Sequence, residues 1–448
     1  MEKLTIKEKL GFSAGEYAGS VVWQALMFFL PIFYTDTFGI SAAAVSTMFL
    51  VVRFFDAAND PIMGMIADRT NTRWGKFRPY LLWLAVPYGL GTVLMFTTPE
   101  LGYTGKIIYA YVTYGFMMVI YTAMMIPYNT LIGVISPDSR ERTSVSSYKF
   151  VFAYAAGASV QYFVIPLVDK LGGGNKALGY TYTMAIFGTL CIFVFIISFL
   201  SVRERVKPDP SQKTKLKDDL QDLINNKPWI ILAAVSVITL IYVAIRSAVI
   251  MYYFKYFIGN EAAAGLFMVA GTLCVLIGVL PTKWLSEKIG KKKLYIYSMI
   301  IVILSSAGFF IAGPEDIVWI YTMQIIFSLA SGPSMPLLWS MLADAADYSE
   351  WKNGRRATGL VYSAATFSQK MGFSVGGFMA MSILAFFGYQ ADVIQSAESL
   401  LGIRLLLSII PAVIAAFAVI ALSFYKLDDR TVEKISRELQ ERKQKKLD

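Results

Sequence analysis

The sequence of 448 residues contains no histidine and only two cysteines. Because both cysteines, Cys191 and Cys274, lie inside apolar runs, they indicate neither a disulfide framework nor a metal site. Without histidine, any proton relay must use carboxylates. The sequence also shows no Gly-rich phosphate loop and no pairing of a Ser or Cys nucleophile with a base. These absences predict that the protein is not an enzyme.

Charged residues are scarce as well. They make up 16% of the chain, against about a quarter in ordinary soluble proteins, while hydrophobic residues make up 56%. The apolar residues form continuous runs rather than the alternating pattern of a membrane barrel, and a spanning helix needs about 20 of them. The runs predict an all-α membrane protein with twelve transmembrane helices, near residues 14–36, 42–66, 79–98, 105–134, 146–168, 179–202, 228–254, 262–282, 294–312, 317–344, 358–387 and 401–425.

The net charge of +10 reflects membrane topology rather than a nucleic-acid partner. The N-terminus, alternate loops and the tail hold 32 Lys and Arg residues, whereas the intervening loops hold only Lys106, Lys170, Lys176 and Lys255. This asymmetry predicts an even number of spans with both termini in the cytoplasm. The first ten residues are charged and run straight into a long helix, so we expect no cleaved signal peptide. We expect a monomer in the bacterial inner membrane, surrounded by lipid.

A polar segment near the middle of the chain separates six predicted helices from six. It predicts an N-terminal half at 1–202, a cytoplasmic loop at 203–227, a C-terminal half at 228–425 and a cytoplasmic tail at 426–448. A weak repeat supports the division, since Gly64-x-x-x-Asp68-Arg69 follows helix 2 and Glu287-Lys288-x-Gly290-Lys291-Lys292 follows helix 8.

Two six-helix halves with acid and base clusters on corresponding loops resemble the major facilitator superfamily. That resemblance implies that Asp68 and Arg69 are latches that hold one access state. The alternative is that they are ordinary charges that set the topology.

Several charged residues fall in or near the apolar runs, where a charge costs about 2.5–3.5 kcal/mol or more. Such residues normally face a cavity or a partner. The cations are Arg53, Lys149, Arg246, Lys370 and Arg404, and the acids are Glu16, Asp56, Asp60 and Asp344.

The densest group of charges lies in helix 2. Asp56 precedes Asn59 and Asp60 by three and four residues, so one helix face presents two carboxylates and an amide. Oxygen ligands of this kind suit Na⁺, and paired carboxylates could equally share a proton. The alternative is a structural salt bridge to Arg53 or Lys370.

Lys370 lies mid-span in the second half and needs an anionic partner, for which Asp56 or Asp60 is the obvious candidate. A cation would then compete with Lys370 for the carboxylates, which provides a physical basis for coupling. Asp344 near the end of helix 10, together with Arg356, indicates a cytoplasmic gate. The predicted coupling or gating residues are Arg53, Asp68, Arg69, Lys370, Asp344 and Arg356.

Four motifs resemble the glycoside-pentoside-hexuronide:cation symporters, the family of melibiose permease. They are residues 56–64 (DAANDPIMG), 73–79 (RWGKFRP), Tyr121-Thr122 with Ile126-Pro127, and 356–360 (RATGL) leading to Lys370. The resemblance implies a secondary active symporter that couples a sugar or glycoside to Na⁺ or H⁺, with no other cofactor. It implies a cation site at Asp56, Asn59, Asp60 and Thr122, in which Asp56 and Asp60 would bind Na⁺.

The predicted sugar site departs from the family template. Two aspartates that bind sugar in melibiose permease fall at Ser20 and Met125, and a stacking tryptophan falls at Asn129. Lys149 remains as a substrate partner, and Glu16 lies one helical turn from Ser20. The predicted substrate-binding residues are Glu16, Ser20, Trp23, Gln24, Tyr121, Met125, Asn129, Lys149 and Lys370.

The loss of two carboxylates, with Lys149 and Arg246 retained, predicts a more positive cavity that suits an acidic sugar such as a hexuronide. A lipid-like or amphiphilic solute is the main alternative, because Met125 makes the cavity less polar. A channel or a membrane enzyme is a remote alternative.

Overall fold

The computed structural model describes residues 4–136, 139–205, 223–353 and 358–444, and these residues are almost entirely helical. The α-helices are α1 (Ile6–Phe28), α2 (Leu30–Ile32), α3 (Ala42–Arg69), α4 (Arg78–Trp83), α5 (Ala85–Met95), α6 (Tyr103–Ile135), α7 (Ser139–Gly172), α8 (Lys176–Ser201), α9 (Lys227–Tyr252), α10 (Ala263–Val279), α11 (Thr282–Ile289), α12 (Lys291–Gly308), α13 (Ile317–Ser331), α14 (Ser334–Asn353), α15 (Thr358–Phe386), α16 (Ala397–Leu407), α17 (Ile409–Ser423) and α18 (Asp429–Gln444). Two π-helices cover Phe33–Thr37 and Tyr253–Ile258.

Each of the twelve predicted spans corresponds to one helix or to a consecutive series of helices in the described chain. Six of them are long and apolar enough to cross a membrane without interruption, and two bent pairs bring the number to eight. The other spans are shorter or more polar. The prediction of an all-α membrane protein is confirmed.

A proline lies next to each of the two bends. The first predicted span turns by 50° after Phe28, where Pro31 stands in the first turn of α2. The eighth turns by 48° between α10 and α11, next to Pro281. Proline lacks an N–H group and cannot complete the helical hydrogen-bond ladder, which favours a bend at these positions. Pro127 and Pro166, by contrast, lie inside α6 and α7 without ending them.

The structure divides into two compact units. Unit 1 consists of Met1–Pro210, Ile250–Val269 and Met381–Ser399. Within it α1 packs on α7 and α8, α3 packs on α6, and α5 packs on α6 and α8. The contact of α5 with α8 requires glycine, because a Cβ atom on Gly89 would lie 2.8 Å from the carbonyl oxygen of Gly188.

Unit 2 consists of Ser211–Val249, Ala270–Ala380 and Leu400–Asp448. Within it α12 packs on α13, α14 and α17, and the C-terminal helix α18 packs on α14. The predicted halves at 1–202 and 228–425, with the loop and tail between and after them, stay a prediction.

A single carboxylate, that of Glu204, organises the loop between α3 and α4. The backbone N–H of Lys76 donates to its Oε2 at 2.9 Å, and those of Phe77 and Arg78 donate to Oε1 at 2.7 and 2.9 Å. The turn also requires a glycine at position 75, where φ is +113° and a Cβ atom would lie 2.4 Å from Cδ of Glu204. The motif at 73–79 is therefore the binding loop for this side chain.

Substituting Gly75 with alanine is expected to lower the thermal stability of the purified protein by about 5 °C. The new methyl group would strain the backbone and displace Glu204, which would leave three N–H donors without their charged acceptor. Thermal unfolding in detergent measures the effect. Gly133→Ala is the matched control, because nothing lies within 4 Å of the added Cβ atom in α6. Equal melting of both variants would contradict the role of the loop.

Candidate substrate and cation site

Helices α3 and α6 bring three of the predicted cation ligands together. Thr122 Oγ1 lies 2.7 Å from Asp56 Oδ1 and 3.2 Å from Asp60 Oδ1. Asp56 is only 2% exposed and Asp60 is half-buried. Two carboxylates that share one hydroxyl repel each other when both are ionised, so the arrangement favours a bound cation or a shared proton. Asn59, the fourth predicted ligand, is half-buried on α3.

Arg53 lies on α3 one turn before Asp56 and is buried. Its guanidinium carbon is 4.7 Å from the ring centroid of Trp23 on α1 and 5.9 Å from that of Tyr114 on α6. A cation over an aromatic face is attracted by the ring quadrupole. Arg53 therefore connects the helix of the two carboxylates to an aromatic residue of the predicted substrate site.

The predicted aromatic substrate residues also lie together. The rings of Trp23 and Tyr121 are 5.8 Å apart at an angle of 32°, and Tyr121 directly precedes Thr122 on α6. On α1, Gln24 Oε1 accepts a hydrogen bond of 3.3 Å from Gln161 Nε2 on α7. Ring faces and amides of this kind are suited to sugar rings and hydroxyls.

Lys149 on α7 forms an ion pair with Glu16 on α1. Its Nζ lies 3.0 Å from Glu16 Oε2, donates to Asn129 Oδ1 on α6 at 2.7 Å, and lies 4.7 Å from the ring centroid of Tyr128. Both charged side chains keep some exposure, 13% for Lys149 and 20% for Glu16. Three predicted substrate residues from three helices thus form one polar group.

Two predicted substrate residues differ in their surroundings. Ser20 is half-buried on α1, one turn after Glu16. Met125 is buried, and its Sδ atom would lie 2.6 Å from a Cβ atom on Gly19. Met125 therefore serves as a packing contact between α6 and α1.

The predicted gating residues lie in different places. Lys291 Nζ contacts both carboxylate oxygens of Asp344, at 2.9 and 2.6 Å, within unit 2. Arg69 is exposed at the end of α3. The side chain of Asp68 and the whole of Arg356 lie outside the described residues.

Lys370 is half-buried on α15, in unit 2. Its backbone carbonyl accepts a 2.8 Å hydrogen bond from the Ser374 hydroxyl. The predicted pairing of its ammonium with Asp56 or Asp60 stays a prediction.

The sequence interpretation missed a polar cluster around Asp36 in unit 1. This carboxylate is 4% exposed. Its Oδ2 accepts hydrogen bonds of 2.5 Å from Lys255 Nζ and from the Tyr256 hydroxyl, and its Oδ1 accepts one from the Tyr389 hydroxyl. The charge pattern of the sequence places Lys255 among the few cations of the intervening loops and indicates no partner for it. Asp36 ends the first predicted span and Lys255 directly follows the seventh, so opposite charges at equivalent ends of the two repeats were the available signal.

A second buried cation, Arg246, lies inside unit 2 and is 4% exposed. Its Nη1 donates to the Leu407 carbonyl at 2.5 Å, and its Nη2 donates to Gln324 Oε1 at 3.0 Å. The guanidinium carbon lies 3.9 and 4.8 Å from the ring centroids of Phe327 and Phe309. Arg246 therefore binds α13 and α16 to α9.

Comparison with known proteins identifies the class. The family model for the MFS/sugar transport protein matches residues 11–429, and the chain belongs to this family. Solved structures share the fold: a bacterial homolog of the human lysosomal transporter Spinster, inward-facing and unoccupied, has a TM-score of 0.71 at 15% identity over 96% of this chain and 97% of that one. The chain is thus a multi-pass inner-membrane transporter of the major facilitator fold and not an enzyme.

Curated relatives narrow the class. The inner membrane symporter YicJ of Escherichia coli is 35% identical over 99% of this chain and 97% of its own. The isoprimeverose transporter of Lactiplantibacillus pentosus is 35% identical over 94% and 88%, and the glucuronide carrier protein homolog of Escherichia coli is 29% identical over 99% and 97%. The resemblance to the glycoside-pentoside-hexuronide symporters is confirmed, and with it a sugar or glycoside transporter of symporter type.

Proposed function

We propose that this protein couples the uptake of a sugar or glycoside to Na⁺ or H⁺ by alternating access. The observation that carries the proposal is the oxygen cluster of Asp56, Asp60 and Thr122, in which one hydroxyl contacts both carboxylates. A monovalent cation or a proton between these oxygens would cancel the repulsion of the two carboxylates. Binding of that ion would also draw α3 and α6 together.

Coupling would pass from the ion to the sugar through Arg53 and Trp23. An ion at Asp56 and Asp60 changes the electrostatic field at Arg53, whose guanidinium packs on the ring of Trp23. Trp23 contacts Tyr121, so the position of these rings and the affinity for sugar would depend on the ion. Linkage requires that bound sugar raise the affinity for the ion by the same factor.

In this proposal Lys370 competes with the ion for the carboxylates, and the chain works as a monomer with both termini in the cytoplasm. An amphiphilic substrate is less favoured, because Met125, the residue that suggested such a substrate, packs against Gly19.

The test uses purified protein in liposomes and a panel of radiolabelled neutral and acidic glycosides. Uptake is measured under an inward Na⁺ gradient, an inward H⁺ gradient and no gradient, at equal membrane potential. We expect accumulation of at least one glycoside above its external concentration under one of the two gradients. Accumulation abolished by an ionophore that collapses that gradient would identify the coupling ion. Transport of no glycoside, or transport that no gradient drives uphill, would overturn the proposal.

A further inference from the structure

The positive charge of Lys149 is compensated inside the protein. The prediction of an acidic substrate depends on Lys149 and Arg246 making the cavity more positive. Glu16 Oε2 lies 3.0 Å from Lys149 Nζ, so the two side chains form a neutral pair. Arg246 is buried in unit 2, where a backbone carbonyl, a glutamine and two phenylalanine rings surround its guanidinium.

The pair contacts α6 through Asn129, which lies on the same helix as Thr122 of the proposed cation site. Thr122 and Asn129 are seven residues apart, which places them on one face of the helix and about 10 Å apart along its axis. Asn129 is exposed and accepts the hydrogen bond from Lys149. Tyr121, which contacts Trp23, is eight residues from Asn129, or about 12 Å along the helix axis, so a solute of disaccharide length at these rings could reach the Glu16–Lys149 pair.

We infer that the Glu16–Lys149 pair is the specificity determinant that admits neutral glycosides and rejects acidic ones; this inference depends on the proposed function. A carboxylate that approaches Lys149 must also approach Glu16, and the repulsion cancels most of the attraction. A hydroxyl has no such conflict. The ammonium has three hydrogens, of which Asn129 and Glu16 take at most two. A carboxylate has about four acceptor sites, so Glu16 can also accept a hydrogen bond from a substrate hydroxyl.

Glu16 acts by setting the charge that the substrate meets, and this distinguishes it from a simple hydroxyl ligand. Neutralising Glu16 uncovers the charge of Lys149 and favours an acidic sugar. Neutralising Lys149 leaves the negative charge of Glu16 without a counter-ion, and an acidic sugar is then disfavoured further. A residue that only contacts a hydroxyl would instead change the affinity for neutral and acidic sugars by the same factor.

The experiment compares 4-nitrophenyl glycosides that share one ring configuration and differ only in the substituent on C5. One series is the xyloside, glucoside and glucuronide, and the other is the arabinopyranoside, galactoside and galacturonide. Each compound competes with uptake of the best-transported glycoside in proteoliposomes of the wild type, Glu16→Gln, Lys149→Gln and Glu261→Gln. Glu261 is the matched control, because it pairs with Lys176, away from the predicted substrate residues.

In the wild type the best neutral member should compete at a concentration about tenfold or more below that of its uronide. Glu16→Gln should shift this ratio by about tenfold or more towards the uronide, and Lys149→Gln should shift it the other way. Glu261→Gln should leave it unchanged. Thermal unfolding in detergent shows that each variant is folded, and Lys149→Gln provides the test if Glu16→Gln does not fold.

A wild type that prefers the uronide, or a ratio that both variants leave within about twofold of the wild type, overturns this inference and leaves the proposed symport intact. A folded wild type that takes up no glycoside of the panel overturns the proposed function, and the inference fails with it.

Discussion

Asparagine in place of Asp56 or Asp60 is expected to abolish uphill accumulation of sugar while part of the downhill movement persists. Each substitution removes one negative charge from the oxygen cluster around Thr122. A charge about 3 Å from a bound cation contributes about 5 kcal/mol at an effective dielectric constant near 20. Cation affinity is therefore expected to fall by about 100-fold or more, since 1.4 kcal/mol corresponds to tenfold.

Two assays in proteoliposomes separate coupling from transport. The accumulation ratio under an inward gradient of the coupling ion reports coupling, and exchange of labelled sugar at equal ion concentrations reports the carrier itself. Asparagine keeps the shape of aspartate, so the loss is assigned to charge when the variant unfolds at the wild-type temperature. Full accumulation in both asparagine variants would show that the ion binds elsewhere.

Two threonines of α6 test whether the Thr122 hydroxyl contributes to ion binding. Thr122→Val removes one hydroxyl from the cluster and is expected to weaken ion affinity by about tenfold, as for the loss of a hydrogen bond to a charged group. Thr113 is buried on the same helix, but its hydroxyl donates to the Tyr109 carbonyl at 2.8 Å. Thr113→Val should therefore leave the dependence of uptake on the ion unchanged.

The second large effect is expected at Arg246. Arg246→Met keeps most of the side-chain volume but removes the donors to the Leu407 carbonyl and to Gln324. Buried acceptors that lose a charged donor cost about 1–3 kcal/mol each. We expect the unfolding temperature in detergent to fall by at least about 5 °C, with a lower yield of folded protein from the membrane.

Two further variants show whether the loss of stability comes from the hydrogen bonds of Arg246. Arg246→Lys keeps the charge but loses the fork of donors that reaches two helices at once, so it should recover only part of the stability. Lys283→Met is the surface control, since the Lys283 side chain is 87% exposed and its pair with Glu287 spans 4.0 Å. Such a pair contributes about 0–1 kcal/mol. An Arg246→Met variant as stable as Lys283→Met would contradict a structural role for Arg246.

The spans and much of the cation cluster could be predicted from sequence because they depend on local properties. A run of about 20 apolar residues is long enough for the bilayer wherever it occurs. Asp56 and Asp60 share a helix face through their spacing alone. Thr122 entered only through the resemblance to a known family, and the structure then placed its hydroxyl 2.7 Å from Asp56.

The partners of the charged residues could not be predicted in the same way. The sequence predicted Lys149 as a charge or hydrogen-bonding partner for substrate, and the structure pairs it with Glu16. It predicted that Arg246 makes the cavity more positive, and the structure buries Arg246 in unit 2. Asp36 and Lys255 are 219 residues apart in the chain. Spacing along one helix does not specify how that helix is rotated against its neighbours.

The sequence by itself determined that this protein is a helical membrane transporter with acidic groups at bilayer depth, because apolar length and the cost of a buried charge are properties of each segment. Only the tertiary structure decided which charges are cancelled and which remain for a ligand. Ion pairs form between helices that are distant in sequence, and their geometry depends on packing contacts such as that of Met125 with Gly19. Glu16 lies 3.0 Å from Lys149 and Arg53 packs on Trp23 because their helices, which are distant in sequence, pack side by side.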